Sequence, residues 1–243
     1  MLVALGSRFV PWPIAANTAL LALGVLLLPL FLEIHRAVTA EERVTFFRSF
    51  NDASPEIAKS ISDYVARSRT TSIRCLGVAL YYQWPFLEEL LSRLMQEGRR
   101  QVTVELAMLD PTWKDMDHFN DAWSAQAQGS YRRIQSFLEQ HSETLKTLQW
   151  EMTVYRYRFL PPCFGILLGG DTLFLGTVFW DRGRLKAGQN AIEVFTASAV
   201  PRGNAKIQEF VDWFAFCKVP HLRLSVRTAD TTPAPPPTPS LPS

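Results

Sequence analysis

The chain has 243 residues, of which 47% are hydrophobic, enough material for the core of one large domain or two small ones. Its formal net charge of +2 gives no chain-wide electrostatic case for nucleic acid as the partner. Cys75, Cys163 and Cys217 lie far apart with no CxxC or Cys/His spacing, which excludes a disulfide framework or a zinc ribbon as the organising principle.

The first predicted element is a membrane segment. No charged residue occurs from Phe9 to Leu32, and at about 1.5 Å per residue a helix of this stretch is roughly 36 Å long, against about 30 Å of bilayer hydrocarbon. We therefore predict a short tail over residues 1–13, a transmembrane anchor over residues 14–32 and a juxtamembrane connector, helical in part, over residues 33–53. Two alternatives are a buried core helix and a signal peptide cleaved after Val38-Thr39-Ala40. The apolar run is longer than most signal peptides carry, which favours the anchor.

Basic residues near the anchor predict its orientation. Arg8 precedes it, whereas Arg36, Arg43 and Arg48 follow it. Because basic residues are retained on the cytoplasmic side, this asymmetry predicts a single-pass protein whose large domain is cytoplasmic. The opposite insertion stays open, since a first hydrophobic segment with a basic amino terminus also inserts the other way.

A strand-helix-strand unit follows the connector. Ser54-Pro55-Glu56 has the pattern of a helix start, with a capping serine and a proline in the first turn. The apolar run Ile73–Leu80 predicts a buried strand, Pro85 opens an amphipathic helix, and Val102–Leu109 is the next strand. Two parallel strands joined by a right-handed helical crossover are the expected arrangement.

The second half of the domain is richer in strands. In chain order we predict helices at Lys114–Ala127 and Ser130–Leu148, a strand at Trp150–Tyr157, a hairpin of Phe164–Leu168 and Leu173–Trp180, a strand at Ala191–Ala197, and a closing helix at Asn204–Cys217. The sequence thus predicts an α/β domain, a mixed sheet flanked by helices, over residues 54–227. Six prolines then fall within residues 228–243, which predicts a disordered, partly polyproline tail.

This order of elements, with a glycine-threonine pair in the hairpin, resembles one half of a phospholipase D-like domain over roughly residues 55–218. The active half of that superfamily carries a His-x-Lys motif, an aspartate and a Gly-Ser pair on the two hairpin strands. Aligning its Gly-Ser with Gly176-Thr177 puts Pro162 at the histidine position, Phe164 at the lysine position and Gly169 at the aspartate position. Phe179 stands where the family has asparagine.

The resemblance therefore implies a single degenerate half without the catalytic motif. Histidine is the family's nucleophile and lysine its phosphate ligand, and proline and phenylalanine supply neither. Active members use two such halves, in tandem or as a dimer, so one half in this chain implies a homodimer. The sequence has no GxSxG, no phosphate-binding glycine loop and no HExxH, so those enzyme classes lose their main sequence support. No cofactor is expected.

A candidate binding site lies at the predicted strand ends. Arg156 and Arg158 are two residues apart on one strand, so both should point to the same side and could grip a phosphate or carboxylate. With Tyr82 and Asp110, which follow two other strands, they form a candidate site for a small anionic ligand at the carboxyl edge of the sheet. The alternative is an exposed strand end whose arginines form ion pairs.

A second candidate site would bind a metal. Asp115, His118 and Asp121 fall three residues apart, so one helix face could present all of them. The alternative is a solvated first helical turn, where acidic residues are favourable.

These observations lead to one hypothesis and two alternatives. The leading hypothesis is a membrane-anchored, catalytically inactive phospholipase D-like domain that binds, senses or oligomerises, with the lipid bilayer, a second copy and a small anion as partners. The first alternative is a metal-dependent hydrolase or phosphodiesterase that uses Asp115, His118 and Asp121. The second is a structural domain that presents its proline-rich tail to a partner.

Overall fold

A computed structural model describes residues 27–29, 45–187, 190–197, 201–218 and 224–226. The predicted anchor over residues 14–32 lies outside the described residues except for 27–29, and so do the predicted signal-peptide cleavage site and the tail over residues 228–243. Among the residues that are described, no helix combines the length and the apolar character needed to cross a membrane.

The domain alternates strands and helices in its first half and is mostly strands in its second. In chain order the elements are β1 (Thr45–Phe47), α1 (Phe50–Arg67), β2 (Thr71–Leu76), α2 (Gln83–Gln96), β3 (Val102–Leu109), a 3-10 helix (Lys114–His118), α3 (Trp123–Gln140), α4 (Ser142–Thr147), β4 (Glu151–Tyr157), β5 (Cys163–Leu168), β6 (Thr172–Thr177), β7 (Phe179–Asp181), β8 (Arg184–Lys186), β9 (Ile192–Thr196), α5 (Pro201–Cys217) and β10 (Leu224–Val226).

One mixed sheet forms the centre of this domain. Within the described residues it has eight strands in the order β1-β9-β6-β5-β2-β3-β4-β10. β2, β3 and β4 are parallel to one another, and the other pairings are antiparallel. The carboxyl ends of β2, β3 and β4 therefore lie at one edge, which we call the carboxyl edge. The predicted α/β domain with a mixed sheet flanked by helices is confirmed.

Helices bury their apolar stripes against this sheet. In α1 the buried side chains include Ile57, Ile61 and Val65, which recur every four residues and so lie on one face. In α5 the buried face includes Phe210, Phe214 and Cys217.

The amino-terminal boundary of the domain differs from the prediction. Helix α1 begins at Phe50, and its N-cap is Ser49, whose side chain accepts a hydrogen bond from the Asp52 backbone N–H (3.2 Å). Ser54 is instead inside the helix, where its hydroxyl donates to the Asn51 carbonyl (2.8 Å). Residues 45–47, predicted as connector, form β1 at the sheet edge against β9, because strand pairing is a long-range contact that the local sequence does not show.

The helices between β3 and β4 also begin and end elsewhere than predicted. The predicted break near residue 129 is wrong, because Gly129 lies inside α3. The break occurs at Asn120, whose side-chain carbonyl accepts from the Ala122 N–H (3.0 Å) and whose amide donates to the Leu185 carbonyl (3.0 Å). The hairpin run Leu173–Trp180 is likewise divided: β6 ends at Thr177, and β7 pairs with β8 in a separate two-stranded sheet.

Gly129 provides a simple test of these boundaries. A methyl group there would meet no heavy atom within 4 Å, and alanine loses less backbone entropy in a helix than glycine. We therefore expect Gly129→Ala to stabilise the protein by about 0.5–1 kcal/mol in urea unfolding. A loss of stability of similar size would contradict the placement of Gly129 inside an open helix face.

Candidate functional site

The predicted ligand residues Asp110, Arg156 and Arg158 meet at the carboxyl edge. Leu109 and Tyr157 are register partners of parallel strands β3 and β4, so Asp110 and Arg158 each follow the end of their strand. The Asp110 backbone N–H donates to the Tyr157 carbonyl (2.8 Å), so the segment after β3 stays hydrogen-bonded to the end of β4.

Asp110 is the centre of this group, and only 1% of its surface is exposed. One carboxylate oxygen accepts from the backbone N–H (3.0 Å) and the hydroxyl (2.9 Å) of Thr112, and the other accepts from Arg158 Nε (2.9 Å). Burial acts to raise the pKa of this carboxyl. The hydrogen bonds from Thr112 and Arg158, with the charge of Arg156, outweigh burial and hold the pKa below its ordinary value. Asp110 is therefore an anion that is bound from several sides.

Arg156 and Arg158 point to the same side, as the strand period predicts. Arg156 Nη1 lies 3.9 Å from Asp110 Oδ1, and 12% of the Arg156 side chain is exposed. The guanidinium carbon of Arg156 lies over the Tyr131 ring, 5.1 Å from its centroid. Arg158 is much more open, with 55% of its side chain exposed. The two arginines thus form ion pairs with a buried carboxylate, whereas the ion-pair alternative placed them on an exposed strand end. The contact of Tyr131 with Arg156 was not predicted, since it comes from a helix that is distant in sequence.

Tyr82 lies at the same edge but lines a cavity apart from the Asp110 ion pairs. It is half-buried, its ring packs edge-on against Tyr81 (5.2 Å between centroids), and it lines a cavity of about 20 Å³ beside Trp123 and Gln126. That volume is about the size of one water molecule. The structure therefore brings three of the four predicted ligand residues together and places Tyr82 in a neighbouring cavity.

The alternative metal site receives no support. Asp115 and His118 lie in the short 3-10 helix, whereas Asp121 lies beyond it and pairs with Arg184 at 3.2 Å on an exposed surface. Over the described stretches of the chain, no three His, Cys, Asp or Glu side chains are placed to hold a metal ion together.

The hairpin of β5 and β6 carries the positions that the family resemblance singles out. Phe164 and Gly176 are direct partners across the hairpin, and Cys163 faces Thr177. Phe164 is fully buried, and a methyl group on Gly176 would lie 2.2 Å from the tip of its ring. The phenyl ring therefore lies directly on the glycine, and an apolar contact occupies the place where the family has its lysine.

The three cysteines are free thiols buried in this core. Burial raises the pKa of Cys163 to about 12 and that of Cys217 to about 12. None of the three is therefore placed or activated as a nucleophile, since the thiolate is the reactive form.

Two solved structures are similar to this chain at low sequence identity. Phosphatidylserine synthase from Haemophilus influenzae Rd KW20 is similar at 13% identity and a TM-score of 0.41, over 71% of this chain and 37% of that one. The phospholipase D family member Nuc from Salmonella typhimurium is similar at 12% identity and a TM-score of 0.35, over 71% of this chain and 91% of that one. The chain thus spans little more than a third of the synthase.

No protein-family model matches the chain, and no curated protein matches it in sequence. The structural likenesses are too distant to assign a substrate or an activity.

Proposed function

We propose that the chain is a membrane-anchored, catalytically inactive phospholipase D-like domain that acts by binding, sensing or oligomerisation. The observation that carries this proposal is the buried contact of Phe164 with Gly176. A phosphoryl-transfer site needs a nucleophile and a cation beside the phosphate. Here Pro162 and Phe164 stand at the two positions concerned, and the buried ring of Phe164 lies directly against Gly176.

A phosphodiesterase assay tests the proposed inactivity. The purified full chain is incubated with bis(4-nitrophenyl) phosphate, with and without Mg²⁺, Mn²⁺ or Zn²⁺. We expect no turnover above that of buffer with the same metal. Turnover that depends on metal and is lost in His118→Ala would overturn the proposal in favour of the hydrolase alternative. The matched control is His141→Ala, which removes a histidine outside that cluster.

We further propose that a small anion binds against the open side of Arg158. Two arginines share one carboxylate, which leaves the group with one net positive charge. We expect inorganic phosphate to bind there and Arg158→Gln to weaken binding by about tenfold, the effect of losing one charge-assisted hydrogen bond. The control is Arg182→Gln on the β7–β8 turn. If calorimetry gives equal phosphate binding for the wild type and both variants, Arg158 is only a structural ion-pair partner.

Topology and pairing can be tested with introduced cysteines. Because the native thiols are buried, a cysteine at exposed Arg100 would be the main site for an impermeant maleimide. The proposed cytoplasmic domain predicts protection of Arg100→Cys in intact cells and labelling after permeabilisation. Labelling of intact cells would reverse the proposed orientation. The mass of the purified chain from light scattering tests the proposed homodimer.

A further inference from the structure

The outer face of α5 carries an exposed aromatic groove. Trp213 and Phe216 are three residues apart and so are neighbours on the helix surface. Trp213 is partly buried at the border of the core, and Phe216 is exposed. Phe159, just beyond β4, packs against both rings. Its ring centroid lies 6.3 Å from that of Trp213 and 4.8 Å from that of Phe216. We call these three residues the aromatic groove.

The shape of the groove suits an extended apolar chain. The rings of Trp213 and Phe216 stand at 89° to each other, so they form ridges rather than a flat surface. Beside them is an open cleft of about 370 Å³, lined also by Glu209 and Asp212. Phe216 is 56% exposed in the domain. Trp213 and Phe159 are partly buried beside it, so the groove has a core-anchored wall and one exposed ring. An exposed apolar ring beside an apolar cleft marks a surface that another chain can cover.

We infer that the occupant of the aromatic groove is the chain's own proline-rich segment, residues 233–242. Proline-rich segments bind to grooves lined by aromatic side chains, because their polyproline II conformation is already formed and little entropy is lost on binding. The sequence Pro-Ala-Pro-Pro-Pro-Thr-Pro-Ser-Leu-Pro has no charged residue. It would therefore bring no carboxylate against the acidic rim of Glu209 and Asp212.

The connection is long enough for this contact. The segment leaves the domain after β10, where Val226 is the partner of Met152 at the start of β4. From Met152 to Phe159 the distance along an extended strand is about 23 Å. Residues 227–243 span roughly 50 Å as polyproline II. Tethering also gives the segment an effective concentration in the millimolar range, so that even a weak contact is populated.

Quenching of a fluorophore on the tail tests the inference in the full chain. Ser240→Cys is labelled with bimane, which tryptophan quenches on close approach, and the buried native thiols are left unlabelled. We expect quenching that is at least halved in Trp213→Phe and in Phe216→Ser. The matched controls are Trp180→Phe and Phe179→Ser, which change an exposed aromatic pair elsewhere and should leave quenching unchanged.

Dilution separates the chain's own tail from that of a second copy. Quenching that does not change with protein concentration supports binding within one chain. Quenching that falls on dilution shows exchange between copies and overturns the inference, and so does quenching that is absent or insensitive to Trp213→Phe. Because Trp213→Phe keeps an aromatic ring at a partly buried position and Phe216 is exposed, circular dichroism of the variants should match that of the wild type.

Discussion

Phe164→Ala is expected to destabilise the protein by about 3–5 kcal/mol, among the largest effects of any single substitution in this fold. The side chain is fully buried at the centre of the sheet, and its removal leaves a cavity above Gly176. Urea unfolding monitored by far-UV circular dichroism measures the change. A loss below about 1 kcal/mol would mean that the ring does not fill the hairpin in the way described.

The contact with Gly176 makes a sharper, two-part prediction. In the wild type, Gly176→Ala puts a methyl group into the Phe164 ring and should cost about 1–3 kcal/mol by overpacking. In the Phe164→Ala background the methyl group enters vacated space, so most of this cost should disappear. In a double-mutant cycle, the double mutant should therefore lose less stability than the sum of the two single mutants, by about 1 kcal/mol or more. Gly129→Ala, with the opposite expected sign, is the control for the substitution itself. Additive costs would show that the ring and the glycine are not in contact.

This contact also bears on the proposed loss of activity. In a hairpin built around a phenyl ring, a lysine at position 164 would bury an ammonium group in an apolar core, which is strongly unfavourable. The packing of Phe164 on Gly176 therefore disfavours a cation at position 164.

The first half of the fold could be predicted because its signals are local. β3 alternates buried and half-buried residues up to Glu105 and is fully buried from Leu106 to Leu109, and α2 has a regular apolar stripe. Parallel strands joined by a helix can close in few ways. The break at Asn120 could not be predicted in the same way. Asn120 lies between the two helices, and its side chain donates a hydrogen bond to the carbonyl of Leu185, a residue far away in the sequence. The short edge strands β1 and β10 could not be predicted for the same reason, since they form by pairing with the distant strands β9 and β4.

The candidate site was predictable in its residues but not in its contacts. The two-residue period places Arg156 and Arg158 on one side of β4, and parallel pairing places Asp110 at the same edge. The sequence does not show that Asp110 takes up both arginines, because this depends on the burial of the carboxylate and on Thr112 and Tyr131 beside it. What the sequence presents as a ligand site is, in the folded chain, first of all an ion-pair cluster that joins the ends of β3 and β4.

This structural role gives the second large expected effect. Asp110→Asn should destabilise the protein by about 3 kcal/mol at pH 7, because it leaves the mostly buried guanidinium of Arg156 without its carboxylate. The control is Glu97→Gln, which removes an exposed ion pair with Arg99 and should cost less than about 1 kcal/mol.

The pH dependence of the Asp110→Asn effect distinguishes a charge effect from a packing effect. The pKa of Asp110 is lowered in the folded state, so its stabilisation is present above the ordinary aspartate pKa of about 3.9 and is lost as the pH falls through the folded value. We therefore expect the stability difference between the wild type and Asp110→Asn to be largest near pH 7 and to shrink below about pH 4. Glu105, whose pKa is also lowered, is present in both proteins and cancels in this difference. A difference that is the same at pH 7 and pH 3 would mean that Asp110 acts through its shape and hydrogen bonds, and that the arginines do not depend on its charge.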